Sequence, residues 1–252
     1  MIQIRGLRKK FGTKEVLKGV NLDIVEGKTT VIFGLSGGGK STIIKHISGL
    51  LKADEGEIII DGIPVSSLDA HGWVEVRKKI GFLFQSGALF DSMNVFDNVA
   101  FPLREHTKMT PDEIEAHVEE ALRMVALVPS EVRNRFPDEL SGGMRKRVGL
   151  ARTIIMKPKY ILYDEPTSGL DPVTSDQITQ LIRKLQREIE ATSLLISHDI
   201  KESFKAADYV AMLFDGEIIE YLPKEAFMKS SHPVVRQFLE GSSQGPIRLR
   251  DE

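Results

Sequence analysis

The glycine-rich stretch Gly34-Leu35-Ser36-Gly37-Gly38-Gly39-Lys40-Ser41 constrains this 252-residue chain more than any other feature. It fits the pattern G-x-x-x-x-G-K-[ST] and has the flanks that pattern requires. Before it, Thr29 to Phe33 is a short β-branched run that reads as a buried strand; after it, Lys40 to Leu50 reads as a helix. Glycines let the backbone curl until its N–H groups point inward, and the helix adds the positive end of its dipole. Such a loop cradles phosphate oxygens. Gly34, Leu35, Ser36, Gly37, Gly38, Gly39, Lys40, Ser41 and the adjoining Thr42 are therefore candidate phosphate-site residues. Lys40 is placed to reach β- and γ-phosphates, and the Ser41 hydroxyl suits Mg²⁺.

Composition narrows the remaining classes. Hydrophobic residues make up 41% and charged residues 28%, which suits a globular chain with a sizeable core and excludes wholesale disorder. Lys and Arg number 34 against 36 Asp and Glu. The basic excess that grips nucleic acid is missing, and no nucleic-acid partner is expected. Cysteine is absent, which removes disulfides, thiol catalysis and cysteine-ligated metals. The longest unbroken apolar run, Tyr209 to Phe214, is far short of the roughly 20 residues a spanning helix needs. No apolar block follows Arg8-Lys9-Lys10, so the N-terminus does not read as a secretory signal. A membrane role would come through a partner.

Alternation around Ile2 to Ile4 and from Val16 to Ile24 predicts half-buried antiparallel strands, and Ile58 to Ile60 with Asp61-Gly62 predicts another strand and turn. The middle third is helical in pattern. Thr110-Pro111-Asp112-Glu113 combines an N-cap, proline at the first helical position and an acid three residues after the cap. Ile114, Val118, Ala121, Leu122 and Val125 follow at helical spacing. Strand character returns at Tyr160 to Tyr163, Ser193 to Ile196 and Tyr209 to Phe214, while Ile178, Leu181, Ile182, Leu185 and Ile189 stripe a helix. Strands alternating with helices make an α/β fold, here with a helical insert over about residues 86–155. The last dozen residues, 241–252, read as a flexible or partner-bound tail.

Two further stretches carry chemistry. Tyr160-Ile161-Leu162-Tyr163-Asp164-Glu165 is an apolar strand that ends in paired carboxylates. Desolvated acids need a counter-charge, and beside a phosphate loop Mg²⁺ supplies it. Asp164 is then the carboxylate that holds the ion, and Glu165 is placed to orient or deprotonate an attacking water. Leu140-Ser141-Gly142-Gly143 opens a helix and forms a second anion site. Two such helix ends either bind two anions or share one across a dimer. Taken alone, a serine cap with glycines in a turn accounts better for the second.

The ordered set Gly34–Ser41, Gln85, Leu140–Gly143, Asp164-Glu165, Ser168-Gly169-Leu170-Asp171 and His198 resembles the ATP-binding cassette (ABC) ATPases over nearly the whole chain. The resemblance implies an α/β P-loop NTPase (RecA-like) core with an N-terminal antiparallel β subdomain and an inserted α-helical subdomain. One domain would cover 1–240, with 1–85 and 156–240 as the nucleotide-binding core, and ATP and Mg²⁺ would be the cofactors. In that family two cassettes pack head to tail around two ATP molecules. Ser141, Gly142 and Gly143 of one copy would then face the phosphate loop of a second copy. Phe11 stands where an aromatic stacks on adenine, a place often filled by tyrosine; core packing is its plainer alternative. Gln85 would join Ser41 and Asp164 around Mg²⁺ and touch the attacking water. His198 would contact the γ-phosphate beside a catalytic Glu165, and Asp171 would lie at the dimer seam. Met144 departs from the glutamine that many cassettes carry after Leu-Ser-Gly-Gly.

The stretches Phe84 to His106, Leu140 to Arg147 and Val235 to Gly241 resemble the MCE-linked (Mla-type) phospholipid-trafficking ATPases. That resemblance implies the ATP-hydrolysing subunit of a multi-subunit transporter that moves phospholipids between membranes. Its partners would be an integral-membrane permease, an MCE-type lipid-binding protein, a second copy of itself and, optionally, a small regulatory subunit. Its place would be the cytoplasmic face of the inner membrane. In cassettes the region after Gln85 receives a short permease helix. Leu89, Phe90, Val95, Phe96 and Phe101 are candidates to line that groove, or else they are core. The rival readings are an importer ATPase for amino acids or another polar solute, and a regulatory nucleotide switch. Glu165 and His198 argue against the switch.

Overall fold

Alternation pairs the N-terminal strands as the pattern predicts. In this computed structural model, which describes residues 1–247, β1 (Ile2–Phe11) turns at Gly12-Thr13 into β2 (Lys14–Ile24). Ile2, Ile4 and Leu7 of β1 share one buried face with Leu17, Val20, Leu22 and Ile24 of β2. Beyond β3 (Thr29–Gly34), strands β4 (Glu55–Ile60) and β5 (Ile63–Pro64) complete an antiparallel sheet in the order β2-β1-β4-β5.

β3 belongs to a second sheet with β6 (Ile80–Leu83), β7 (Tyr160–Asp164), β8 (Thr192–Ile196), β9 (Tyr209–Phe214) and β10 (Glu217–Pro223). Its order is β10-β9-β3-β8-β7-β6. All neighbours are parallel except β9 and β10. β3, β7 and β8 are buried at every residue, as parallel strands covered on both faces must be.

Helices α1 (Lys40–Ile47), α2 (Ala70–Lys78), α3 (Val95–His106), α4 (Pro111–Met124), α5 (Pro129–Val132), α6 (Gly142–Ile154), α7 (Pro172–Glu188), α8 (Ile200–Ala206), α9 (Lys224–Phe227) and α10 (Pro233–Glu240) fill in around the sheets. The period-2 alternation of the central strands splits the core in two. Ile32, Leu162, Leu194, Ile196 and Ala211 face the antiparallel sheet, with Ile43, Ile44 and Ile47 of α1 packed between. Val31, Phe33, Ile161, Tyr163, Leu195 and Met212 face the other way. Their cluster runs on without a break into Val99, Val118, Leu122, Val148 and Leu150 of α3, α4 and α6. Helices and parallel sheet thus share one hydrophobic cluster.

The helix starts follow their local chemistry. Thr110 and Glu113 form the reciprocal capping box that the sequence predicts for α4, and Asn94 caps α3 through the Asp97 N–H. Each such cap contributes about 1 kcal/mol. Short elements escaped the sequence reading: β6 is four residues long, α8 seven and α10 eight, although α10 buries Val234 and Val235 on one side. α1 ends at Ile47, three residues earlier than its pattern suggests. After α10 the described part of the tail folds back. Gln237 donates to the Ser242 and Ile247 carbonyls at 3.1 Å and accepts from the Ile247 N–H at 2.6 Å. Residues 248–252 of the expected tail lie outside the described residues.

Candidate nucleotide site

Parallel strands deliver their following loops to one edge of the sheet, and in open α/β folds that edge is where ligands bind. Here β3 leads into Gly34–Gly39, β6 into Gln85, β7 into Asp164 and Glu165, and β8 into His198. Residues scattered over 165 positions therefore meet.

The phosphate loop is shaped by glycines that nothing larger could replace. Gly34 has φ 159°, and a Cβ there would fall 2.5 Å from the Leu213 carbonyl oxygen; at Gly39, φ 99°, it would meet Val16 Cγ1 at 2.8 Å. The hairpin β1–β2 and strand β9 thus press directly on the loop. Lys40 reaches back across it and donates to the carbonyls of Gly34 at 2.8 Å and Leu35 at 2.9 Å. Lys40 is buried, which lowers its pKa, while the carboxylates of Glu165 and Asp164 act to raise it. Ser41 Oγ donates to Asp164 Oδ1 at 2.8 Å.

A second group surrounds Glu165. His198 Nδ1 lies 3.3 Å from Glu165 Oε2, and Gln85 Nε2 donates to the same oxygen at 3.4 Å and to Ser168 Oγ at 3.0 Å. Glu165 has φ 48°, in the left-handed region, and its N–H donates to the Ile196 carbonyl at 2.9 Å. A non-glycine residue held there costs of order 1 kcal/mol or more and is a feature of functional sites. Its carboxylate is aimed where strands β7 and β8 end.

The remaining candidates stand apart from this cluster. Phe11 is 47% exposed at the end of β1 with the Lys9 ammonium 5.7 Å from its ring centroid, so it is not core. Ser141 caps α6, accepting from the Met144 N–H at 3.2 Å. Gly142 and Gly143 pack toward Leu170 and Thr174; a Cβ on Gly143 would come within 2.7 Å of Thr174 Cγ2. The Met144 side chain is packed against the main hydrophobic cluster. Asp171 caps α7, accepting from the Val173 and Thr174 N–H groups at 3.0 Å, and these bonds with the Thr174 hydroxyl hold its carboxyl below the usual range.

Two residues of the site had no role assigned from the sequence. Ser168 anchors the Gln85 amide. Lys146, 5% exposed, donates its ammonium to the Gln85 carbonyl. A lysine inside an amphipathic helix reads as solvent-facing, and only its neighbours in space give it away. Of the apolar residues after Gln85, Val95 is core, at 1% exposed. Phe90 and Phe101 meet at a tilt, with centroids 5.0 Å apart, and with Phe82, Phe84 and Met156 line a groove of about 340 Å³.

Residues 17–168 match the ABC transporter family. The chain belongs to the ABC transporter family. As a cassette it is an ATP hydrolase that binds nucleotide, and the α/β architecture agrees. The chain is 45% identical over 251 residues to "Probable ribonucleotide transport ATP-binding protein mkl" of Mycobacterium leprae, covering 100% of this chain and 72% of that one. It is 40% identical to the intermembrane phospholipid transport system ATP-binding protein MlaF of Haemophilus influenzae, covering 99% of this chain and 94% of that one. A dimeric ATP-binding cassette solved in a post-hydrolysis state with ADP and Pi superposes with a TM-score of 0.81 at 35% identity, over 89% of this chain and 99% of that one.

Among the described residues no group of three or more His, Cys, Asp or Glu side chains could hold an ion by itself, and no helix is long and apolar enough to cross a membrane. Ser41 and Asp164 nevertheless offer two hard oxygen donors side by side. That is the kind of partial set Mg²⁺ takes when nucleotide phosphates complete its shell.

Proposed function

We propose that this chain is the ATP-hydrolysing subunit of a transporter that moves phospholipids between membranes, working with an integral-membrane permease and an MCE-type lipid-binding protein. The observation that carries the cargo is likeness to the phospholipid-transport protein MlaF over 94% of that protein's length. The catalytic part rests on the grouping of Gln85, Glu165 and His198 around one carboxylate oxygen.

ATP would sit on Gly34 to Thr42, with Lys40 neutralising the β- and γ-phosphates and Phe11 against the adenine. Ser41, Asp164 and Gln85 would hold Mg²⁺, which draws charge from the phosphates when bound. Glu165 takes the proton of the attacking water at its Oε2, which Gln85 and His198 orient. Ser141, Gly142 and Gly143 would reach the γ-phosphate held by a second copy, and Asp171 would lie at the seam between copies. ATP then favours the closed pair because its γ-phosphate is contacted from both sides, and hydrolysis removes that differential contact. The groove beside Phe90 and Phe101 would receive the permease and hold the cassette at the cytoplasmic face of the inner membrane. A small regulatory subunit is compatible with this arrangement.

A second reading has its own support: the relative at 45% identity is named for ribonucleotide transport, a polar cargo. Purification of the chain from detergent-solubilised membranes of its own host, followed by mass spectrometry of companions and bound lipids, separates the two. A multi-spanning permease with an MCE protein and phospholipid is the expected result. A permease with a solute-binding protein, or no membrane partner, would overturn the lipid reading.

A further inference from the structure

One side of α6 grips the loop that follows β6. Lys146 donates its ammonium to the Gln85 carbonyl. Gly149 faces the same region: a Cβ there would be in ordinary contact with the Gly87 backbone at 3.4 Å but would press on Leu83 Cδ1 at 2.9 Å. Arg152 donates to the carbonyls of Gly87 and Ala88, each at 2.8 Å. The gripped loop carries Gln85, whose side chain donates to Glu165 and Ser168. The helix that does the gripping is capped at its start by Ser141. Five residues of helix span about 7.5 Å, so a displacement of Ser141 is passed to Lys146 through a stiff rod.

Position and charge single out Lys146 within this grip. It is 5% exposed, so no bulk water replaces its hydrogen bond if it is lost. Burial opposes its charge, and the nearby carboxylates of Glu165 and Asp164 favour it. Its ammonium therefore lies in the field of the same two acids that the hydrolytic site uses. Arg152 holds the loop two residues further on and has no such acids acting on it.

We propose that Lys146 is a positioning residue for ATP hydrolysis, tying the Gln85 main chain, and through it the Glu165 carboxylate, to the helix that Ser141 caps. This rests on the reading of Gln85 and Glu165 given above. Movement of the Ser141 end of α6, as when a second copy closes against it, is then felt at Gln85 directly. Binding of ATP to the chain's own phosphate loop does not pass through Lys146.

The test is steady-state ATPase of the purified full chain against ATP concentration, with Lys146→Met, Lys146→Arg and Gln85→Ala. Met keeps the length of the side chain and removes the donor. Lys146→Met is expected to lower kcat about tenfold, the worth of one charge-assisted hydrogen bond, with KM for ATP within about twofold. Lys146→Arg is expected to regain most of the loss. Adding Lys146→Met to Gln85→Ala is expected to cost nothing further, because both act through one group. A Met variant with kcat within about twofold of the parent would overturn the proposal. So would a raised KM with kcat unchanged, an Arg variant as slow as the Met variant, or fully additive losses. If Lys146→Met does not fold by thermal melting, Lys146→Ala, which also lacks the donor, carries the same comparison. Glu165→Gln is assayed alongside: full activity there would overturn the assignment of the site itself, whereas an inactive Glu165→Gln with a fully active Lys146→Met would overturn only the role of Lys146.

Discussion

The Ser41 hydroxyl donates to the Asp164 carboxylate at 2.8 Å although the two residues are 123 positions apart. Strand register explains the contact. Ile32 of β3 stands level with Ile196 of β8, and Ile196 stands level with Asp164 of β7. The phosphate loop and the paired acids therefore leave the sheet at the same height.

Oxygen donors so placed predict a specific magnesium phenotype. Asp164→Asn should raise the Mg²⁺ needed for half-maximal ATPase activity by about tenfold or more. A Mg²⁺ titration identical to that of the parent would remove Asp164 from the metal position.

Glu165 is fixed in a left-handed backbone conformation with its carboxylate between Gln85 and His198. Glu165→Gln keeps the shape and loses the base. ATP binding should persist while turnover falls by roughly 10²- to 10⁴-fold, and ATP should hold the protein as a pair on gel filtration. Rapid turnover by this variant would show that another group takes the proton.

Lys40 is buried under its own loop, where it donates to the Gly34 and Leu35 carbonyls. Lys40→Ala should cut ATP hydrolysis by about 10²-fold, as loss of one preorganised electrostatic contact does. Near-normal hydrolysis would exclude Lys40 from the phosphates.

Ser141 is exposed at the N-cap of α6, where its side chain accepts from the Met144 N–H. Ser141→Arg should therefore abolish ATP-driven pairing yet leave binding of a fluorescent ATP analogue to the monomer within about twofold. Simultaneous loss of both would mean that Ser141 does not act across a dimer.

Asp61 lies outside the site and tests the fold. Burial pushes its carboxyl up, but hydrogen bonds from Lys159, Tyr160 and Lys79 outweigh that and hold it well below the usual carboxylate range. A carboxyl with a depressed folded pKa stabilises the protein above its unfolded pKa of about 4 and loses that contribution as pH falls toward the folded value. Asp61→Asn, which tolerates the positive φ of 53° at this position, should cost about 1–3 kcal/mol at pH 7. The gap between variant and parent in urea unfolding should narrow below about pH 4. An equal gap at both pH values would show that the charge is not what stabilises.

Much of the architecture was legible because burial imposes periods on sequence. The alternation in β1 and β2, the apolar runs of β3, β7 and β8, and the stripe Ile178, Leu181, Ile182 and Leu185 all lie where the pattern put them. β6 left no such trace: it sits at the sheet edge and, at four residues, is too short to establish a period. Phe11 shows the limit from the other side. Its type alone fits both a core residue and an exposed ring, and only the 47% exposure decides.

The sequence by itself determined the phosphate loop, the paired acids, the Ser-Gly-Gly helix start and the family to which their order belongs. Those features are local: each depends on glycine freedom, a cap or a strand end within a few residues. Tertiary structure alone decided that Gln85, Ser168 and His198 converge with Glu165 and that Lys146 is buried against a carbonyl. Those contacts depend on which strands pair and in what register, and register is set by packing across the whole sheet, which no short stretch of the chain records.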